Sequence, residues 1–349
     1  MLANQSPTTS GLDKFTANIL QRIPQRHLHI PFDSIQNDEQ YQHSLLATLQ
    51  TISLTNPFYA KQTLESLLGH RAQTVISGDL MDSYYDLLST LLFSKPLLAT
   101  DPDLIQYNIT PQISIKVWET PMIISGAGTT GFRTWEASLF LCEYLAAEMS
   151  TTTAMTTSFK GDHKFNGLEL GCGTGIVSMF ILKFLQSISG NGSVCLTDGD
   201  SSLIEKLAPN LTLNDITATE AETEIATPET SITHKSQRLW WGEDSIPENV
   251  DIIYAADVTY DSSVIPSLVT CITQALTQGV KYCLIAATIR NEDTIRVFEL
   301  ALDQVPLRWE IVQERETSAG GNYSNISGQA GLVWYAEGTP AIKIYKIEL

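Results

Sequence analysis

The chain has few cysteines and lacks the patterns in which cysteine usually builds structure. Its 349 residues include five cysteines, scattered through mostly apolar stretches. Because their number is odd and no C-x-x-C pair occurs, we expect neither a disulfide framework nor a zinc site. The six histidines are dispersed as well, and His27 and His29 have no third ligand nearby. We therefore expect reduced, buried thiols and no bound metal.

Basic residues are also scarce. Lys and Arg total 21 against 39 Asp and Glu, which gives a formal charge of −18. A protein that binds nucleic acid needs a basic surface for the phosphate backbone, so direct nucleic-acid binding is disfavoured. So acidic a chain suits a protein partner with basic patches, although the charge can also serve solubility alone.

Long apolar runs are missing too. The N-terminus is polar and lacks the apolar core of a signal peptide. The longest apolar run, around Met179 to Leu185, contains Lys183 and is too short to span a bilayer. The 43% hydrophobic content still allows an ample globular core. We expect a soluble, cytoplasmic protein without membrane contact, and a monomer, since nothing indicates an obligate dimer.

What the sequence does contain is a glycine turn. The apolar segment Phe165 to Leu170 predicts a strand, glycines follow at 171, 173 and 175, and Ile176 begins a helical pattern. Strand, glycine turn and helix form the nucleotide-binding corner of a doubly wound α/β fold. The pattern Glu-x-Gly-x-Gly-x-Gly differs from the G-x-G-x-x-G of pyrophosphate-binding domains. It resembles motif I of the class I S-adenosylmethionine-dependent methyltransferases.

Acidic residues follow at the ends of the next strands. The segment Ser193 to Thr197 predicts a strand that ends at Asp198, which is placed to bind ribose hydroxyls. Asp200 is the alternative acid, and an ordinary acidic turn is the simpler explanation. Further on, the apolar strand of residues 250–256 leads into Asp257-Val-Thr-Tyr260, which we expect at the same sheet edge. As simpler roles, Asp257 can cap the next helix and Tyr260 can close the strand end.

Three segments carry a closer resemblance: Thr-Gly-Phe-Arg-Thr-Trp-Glu-Ala at 130–137, Leu-Trp-Trp-Gly at 239–242 and Asp-Val-Thr-Tyr at 257–260. With the glycine turn they resemble the seven-strand protein-lysine methyltransferases that carry a D-x-x-Y motif. Within that group they are most similar to the eukaryotic elongation factor 2 lysine methyltransferases, well from about residue 100 onward and more loosely before it. The resemblance implies a doubly wound, Rossmann-like α/β sheet of seven strands, S-adenosyl-L-methionine as cofactor and a lysine of elongation factor 2 as substrate.

The resemblance also implies roles for single residues. Trp135 would pack on the cofactor, and Trp241 would lie against its adenine region, whereas Trp240 is more simply a core residue. The other residues implied in cofactor binding are Gly171, Cys172, Gly173, Asp198 and Ala256. We interpret Asp257 and Tyr260 as catalytic: Asp257 captures and orients the incoming ammonium, and Tyr260 supplies an aromatic wall or a hydroxyl partner.

We expect an N-terminal helical region at residues 1–98 and a methyltransferase domain at 99–349. Apolar stripes up to about Pro96 predict three to five helices, which act as a cap or in substrate recognition. The polar stretch 99–109 is interpreted as the boundary. Segments 150–163 and 215–235 are predicted to be flexible, and the last strands, which lack crossover helices, to be antiparallel.

Other functions compete with this interpretation. The enzyme can methylate a different protein, or the chain can be a non-catalytic S-adenosylmethionine-binding scaffold whose helical region holds a partner. Intact motifs at every expected place argue against the scaffold. Methylation of nucleic acid or of glutamine amides would favour Asn-Pro-Pro-Tyr where this chain has Asp-Val-Thr-Tyr. A nicotinamide oxidoreductase is disfavoured because the third glycine is misplaced for a pyrophosphate turn.

Overall fold

The computed structural model describes residues 10–69, 76–123, 130–151, 164–216, 232–324 and 330–349. The chain forms two compact units: Met1–Ile123 with Gly321–Trp334, and Ile124–Gly320 with Tyr335–Leu349. Most of the two segments predicted to be flexible, namely 152–163 and 217–231, lies outside the described residues. Within the described ranges, no helix is long and apolar enough to cross a membrane.

The first unit is helical, with one β-hairpin. Its described elements are α1 (Gly11–Leu20), α2 (Phe32–Gln36), α3 (Glu39–Ser53), α4 (Pro57–Leu67), α5 (Gly78–Leu91), β1 (Asp103–Asn108) and β2 (Ser114–Glu119). Ser10 and Asp13 form a capping box at the start of α1, and Asn56 caps α4. The helices enclose a core that includes Phe15, Tyr59 and Tyr84, as the apolar stripes predicted.

The stretch 99–109, interpreted as a polar boundary, is largely a strand. Strand β1 pairs with β2 in antiparallel register. Arg22 donates to the carbonyl of Leu104 at 2.8 Å and pairs with Asp103 at 3.3 Å. The compact unit therefore extends past residue 98 to Ile123. A buried ion pair explains the difference, because it places an acidic residue in a strand that otherwise alternates like any half-buried one.

The second segment of this unit is also held by side chains. Asn18 and Asn322 exchange two amide hydrogen bonds of 2.9 and 3.1 Å. Gln21 donates to the carbonyl of Trp334 at 2.7 Å and accepts that residue's N–H at 2.9 Å. The unit thus includes both an early and a late part of the chain.

The second unit contains a seven-stranded sheet. Its helices are α6 (Glu136–Thr151), α7 (Ile176–Ser187), α8 (Ser201–Leu213), α9 (Ile265–Thr277) and α10 (Glu292–Asp303). Its strands are β3 (Phe165–Leu170), β4 (Gly192–Asp198), β5 (Ile232–Arg238), β6 (Ile252–Ala256), β7 (Tyr282–Thr288) and β8 (Arg308–Arg315). A ribbon of β9 (Ala319–Ser324) and β10 (Ala330–Glu337), most of which belongs to the first unit, precedes the last strand, β11 (Ile342–Glu348).

The sheet order is β5-β4-β3-β6-β7-β11-β8. Strands β5, β4, β3, β6 and β7 are parallel, and β11 runs antiparallel to both of its neighbours, which confirms the predicted antiparallel end. Leu168 and Ile253 pack with α9 and α10, whereas Glu169 and Tyr254, on the other face, meet Ser178 of α7. Helices thus cover both faces, and the predicted doubly wound fold is confirmed.

The structure also describes residues 232–235 and the five cysteines, for which we had expectations from the sequence. Residues 232–235, predicted to be flexible, form the start of β5 and pair with β4. This strand lies at the edge of the sheet and is mostly half-buried, so its polar composition resembles that of a loop. The five cysteines are free, and all but Cys195 are buried, as predicted.

Candidate active site

One cavity of about 380 Å³ opens where strands of the second unit end. It brings together all nine residues that the sequence singled out: Trp135, Gly171, Cys172, Gly173, Asp198, Trp241, Ala256, Asp257 and Tyr260. Several of them come from the carboxyl ends of β3, β4 and β6, which is where open α/β sheets bind ligands.

The loop after β3 is a turn that requires glycine. Gly171, Gly173 and Gly175 have φ angles of +63°, +51° and +79°, a region that other residues rarely adopt. A Cβ on Gly171 would lie 2.8 Å from a methyl group of Val258. The turn therefore presents bare backbone to the cavity.

Asp198 ends β4 and supports this turn. Its Oδ2 accepts the N–H of Gly173 at 3.0 Å, and its Oδ1 accepts the N–H of Asp200 at 3.0 Å. Burial raises the pKa of the Asp198 carboxyl, against the lowering effect of these backbone N–H groups. Asp200 instead caps α8 by accepting the N–H of Ser202. Of the two candidate acids, Asp198 lines the cavity.

The segment before α6 closes over the glycine turn. A Cβ on Gly131 would overlap a methyl group of Leu203 and lie 3.1 Å from the Cα of Gly173, so only glycine allows this close approach. The indole of Trp135 donates to the carbonyl of Thr130 at 2.9 Å, which fixes the ring beside the cavity. Thr130 and Gly131 also line the cavity; they belong to the motif at 130–137, but no role was predicted for them.

Trp240 and Trp241 differ in their environments. Trp240 is 48% exposed, and its ring lies 2.8 Å from the position of a Cβ on Gly199. Its interpretation as a core residue is therefore wrong, and it lines the cavity instead. The Nε1 of Trp241 is buried without a hydrogen-bond partner among the described residues. A buried donor without a partner is costly, and this one belongs to a ring that lines the cavity.

Asp257 is buried, and neighbouring groups already bind its carboxylate. Thr288 donates its N–H to Oδ1 and its hydroxyl to Oδ2, each at 3.0 Å. Arg290 Nη1 lies 3.2 Å from Oδ1, and Nη2 lies 3.0 Å from Oδ2. The residue has a φ of +56°, which costs about 1–2 kcal/mol for a non-glycine residue, and its N–H donates to the carbonyl of Ala286 at 2.8 Å. These contacts hold Asp257 in a strained conformation at the cavity wall.

This arrangement differs from the direct capture of an ammonium that we expected of Asp257. The Asp257 side chain is 6% exposed and that of Arg290 is 37% exposed, so the guanidinium is the accessible part of the pair. The side chain of Asp257 also bonds across to β7 and its following residues instead of capping α9. Arg290 was missed because it lies 33 residues after Asp257. The parallel pairing of β6 with β7, which ends at Ala256 and Ala286, brings the two strand ends together.

Arg290 also contacts the tryptophan before α6. The guanidinium carbons of Arg133 and Arg290 lie 4.4 and 4.7 Å from the ring centroid of Trp135. Glu136 pairs with Arg133 at 3.0 Å and lies 3.9 Å from Arg290. Trp135 is therefore held by a hydrogen bond and by two cations, each of which attracts the face of an indole ring.

Tyr260 is the most accessible of the predicted residues. It is 57% exposed and lines both the main cavity and a neighbouring one of about 50 Å³, which includes Thr259, Asn291 and Thr294. Its ring is thus available to an incoming side chain rather than packed to close the strand end.

Glu169, the acid that begins the glycine motif, lies beneath the turn. It accepts hydrogen bonds from the N–H and the hydroxyl of Ser178, and that hydroxyl lies 2.9 Å from the phenol oxygen of Tyr254. Burial raises the pKa of Glu169 to about 8, more than these hydrogen bonds lower it. The cluster ties β3, β6 and α7 together, so both ends of the glycine turn are fixed.

The cavity suits a ligand with nucleoside and amino-acid parts, such as S-adenosyl-L-methionine. Its volume falls within the range of roughly 300–1,000 Å³ that is usual for small-molecule sites. The glycine turn leaves room for close backbone approach, and Asp198 offers carboxylate oxygens to ribose hydroxyls. The unpartnered N–H of Trp241 offers a donor. The residues present therefore fit that cofactor.

Comparison with known proteins shows relatives along most of the chain. Residues 113–304 match the family described as lysine methyltransferase. The chain is 34% identical to the protein-lysine N-methyltransferase EFM3 of Saccharomyces cerevisiae, over 96% of this chain and 98% of that protein. It is 27% identical to EFM3 of Chaetomium thermophilum, over 85% and 88% of the two chains. It is 25% identical to the protein-lysine N-methyltransferase EEF2KMT of Homo sapiens, over 74% of each.

The match to the yeast protein covers both compact units, and the family match covers most elements that form the cavity. The methyl donor that this family implies, S-adenosyl-L-methionine, fits the cavity. The chain therefore belongs to the lysine methyltransferase family and is an S-adenosyl-L-methionine-dependent protein-lysine N-methyltransferase.

Proposed function

We propose that this enzyme methylates a lysine of elongation factor 2. The observation that carries the proposal is that segments 130–137, 239–242 and 257–260 all contribute to one cavity with the glycine turn. These are the segments that resemble the eukaryotic elongation factor 2 lysine methyltransferases. The formal charge of −18 further favours a protein surface with basic patches.

The chemistry requires a neutral amine in line with the transferred methyl group. When bound, S-adenosyl-L-methionine supplies that methyl group on a positively charged sulfur. A lysine in water has a pKa of about 10.4 and is almost wholly protonated at neutral pH. Enclosure lowers this pKa because the ammonium loses its hydration, and the proton leaves to water. Tyr260 is placed to cover the lysine side chain, with a cation–π attraction of about 1 kcal/mol before the proton leaves.

We assign the other residues of the cavity to the cofactor. Trp135 packs against it, Asp198 binds its ribose and Trp241 lies along its adenine. The residues that line its methionyl end or contact it through backbone atoms are Gly171, Cys172, Gly173 and Ala256. Asp257 shapes the cavity wall next to the amine. We also propose that the enzyme acts as a monomer in the cytoplasm, where translation elongation takes place.

The test uses radiolabelled S-adenosyl-L-methionine, the purified enzyme and an extract of cells that lack it. One labelled protein, identified as elongation factor 2 by mass spectrometry, is the expected result. Asp257→Ala should abolish the label while cofactor binding persists. Asp261→Ala is the matched control, because this nearby acid lies outside the residues that line the cavity, and it should label normally. Sedimentation of the same preparation reports the oligomeric state.

The alternatives give different results in this experiment. A label on a different protein would overturn elongation factor 2 as the substrate and leave the methyltransferase activity in place. Cofactor binding without any labelled protein would instead favour the non-catalytic scaffold.

A further inference from the structure

We propose that Arg290 is a positioning residue for methyl transfer: it holds Asp257 and Trp135 in place and disfavours the charged form of the target lysine. This inference rests on the lysine methylation proposed above. It follows from the contacts of Arg290, which lies after β7 and outside the D-x-x-Y motif.

The first contact is the two-point pair with Asp257. Nη1 of Arg290 donates to Oδ1 of Asp257 at 3.2 Å, and Nη2 donates to Oδ2 at 3.0 Å. Guanidinium and carboxylate groups match in this geometry, and a lysine ammonium cannot reproduce it. Because Asp257 has a strained backbone, a neighbour that fixes its side chain also fixes the wall of the cavity at this point.

The second contact is with the start of α6. The guanidinium lies 4.7 Å from the ring centroid of Trp135 and 3.9 Å from a carboxylate oxygen of Glu136. A single side chain therefore links the end of β6, the end of β7 and the start of α6. Arg290 also lines the small cavity beside Tyr260, so it stands next to the expected path of the lysine.

The charges at this place determine which form of the lysine is favoured. Asp257 and Glu136 face Arg290, Arg133 lies against the same indole ring, and Asp198 lies across the cavity at the end of β4. An unpaired Asp257 would attract an ammonium and raise the pKa of the lysine. With Arg290 in place, the carboxylate is compensated, and an incoming ammonium meets a partly exposed cation instead. The pair therefore favours the neutral amine, which is the form that accepts a methyl group.

The test compares Arg290→Gln, which removes the charge, with Arg290→Lys, which keeps the charge but not the two-point geometry. Arg296→Gln is the matched control, because Arg296 is an exposed arginine on the following helix, α10. Three quantities are measured for each: melting temperature, affinity for S-adenosyl-L-methionine by calorimetry, and single-turnover transfer to elongation factor 2 as a function of pH.

We expect Arg290→Gln to move the midpoint of the pH–rate curve upward by about one pH unit and to slow transfer at pH 7 by about tenfold. Arg290→Lys should slow transfer but keep the wild-type midpoint of the pH–rate curve. Arg296→Gln should match the wild type in both rate and midpoint. Cofactor affinity should fall by about threefold in Arg290→Gln, because Trp135 loses one of the two cations on its ring.

An Arg290→Gln enzyme with the midpoint and rate of Arg296→Gln would overturn the inference. If Arg290→Gln does not fold, Arg290→Lys decides: a wild-type rate would overturn the inference, and a slower rate with an unchanged midpoint would support it. If the wild type does not methylate elongation factor 2, only the proposed substrate fails. The cofactor affinities of the variants are measured without a protein substrate and test the contact with Trp135 separately.

Discussion

The ring of Trp241 lies 3.5 Å from the position that a Cβ on Gly171 would occupy, and a methyl group of Val258 lies 2.8 Å from the same position. Three separate parts of the chain thus meet at one glycine. The residue has to be glycine for two independent reasons, its φ of +63° and the crowding around it. A comparison of two glycines separates these reasons.

Gly171→Ala should damage both folding and cofactor binding. Backbone strain and the clash with Val258 together should lower the free energy of unfolding by about 3 kcal/mol. Gly279→Ala is the control, because Gly279 has a φ of +106° but no described atom within 4 Å of the position that its Cβ would occupy. It should lose about 1 kcal/mol from strain alone and keep its cofactor affinity. Urea unfolding and calorimetry measure the two effects, and equal losses in both variants would contradict the crowding argument.

Trp241→Phe should weaken cofactor binding more than it weakens the fold. The change keeps an aromatic ring and removes the unpartnered indole N–H. If that group donates to the bound cofactor, the affinity should fall by about fivefold, which corresponds to one ordinary hydrogen bond of about 1 kcal/mol. Trp309→Phe is the contrast, because its indole donates to Asp303 at 2.9 Å outside the cavity. That variant should lose stability and keep its affinity; the reverse pattern would remove Trp241 from the cofactor site.

Asp257→Asn should separate transfer from cofactor binding. The amide keeps the size of the side chain but loses the charge that pairs with Arg290. We expect transfer to slow by about 100-fold through misplacement at the cavity wall, with cofactor affinity nearly unchanged. The free energy of unfolding should fall by about 1–2 kcal/mol, a modest loss because Arg290 is partly exposed. Transfer assays and calorimetry measure the two properties. A parallel loss of methyl transfer and of cofactor affinity would mean that Asp257 has only a structural role.

Stability should fall as the pH rises from about 4.5 to 8. Burial raises the pKa of Glu169 to about 8 and that of Glu143 to about 7, both from an ordinary value of about 4.5. The folded protein keeps these protons to a higher pH than the unfolded chain does, so unfolding releases protons within this window. Each group therefore contributes to the free energy of unfolding below about pH 4.5, and this contribution is lost as the pH rises through the pKa of the group in the folded protein.

Urea unfolding between pH 5 and 8 measures this dependence. Glu169→Gln carries no titratable proton at this position, so its free energy of unfolding should fall less steeply with pH. The fall that remains should come from Glu143 and lie below pH 7. A slope identical to that of the wild type would mean that Glu169 ionises normally in the fold.

The sequence was most informative where function depends on strand ends. Gly171, Asp198 and Asp257 were predictable because a motif that follows an apolar strand fixes its own position at the sheet edge. Arg290 was not predictable, because its place beside Asp257 follows from the register of β6 and β7. Strand β1 was missed for a related reason: Asp103 is buried by its pair with Arg22, which lies far earlier in the chain. Contacts between distant residues leave no local pattern.

The two-part composition of the first unit has a consequence for biosynthesis. Asn18 bonds to Asn322, 304 residues later in the chain, and Gln21 bonds to Trp334, 313 residues later. A ribosome therefore releases the N-terminal helices long before the residues that complete their unit exist. The amino-terminal part of the nascent chain therefore stays incompletely packed while the second unit is synthesised. We expect this part to be the main site of chaperone contact and of premature proteolysis during translation.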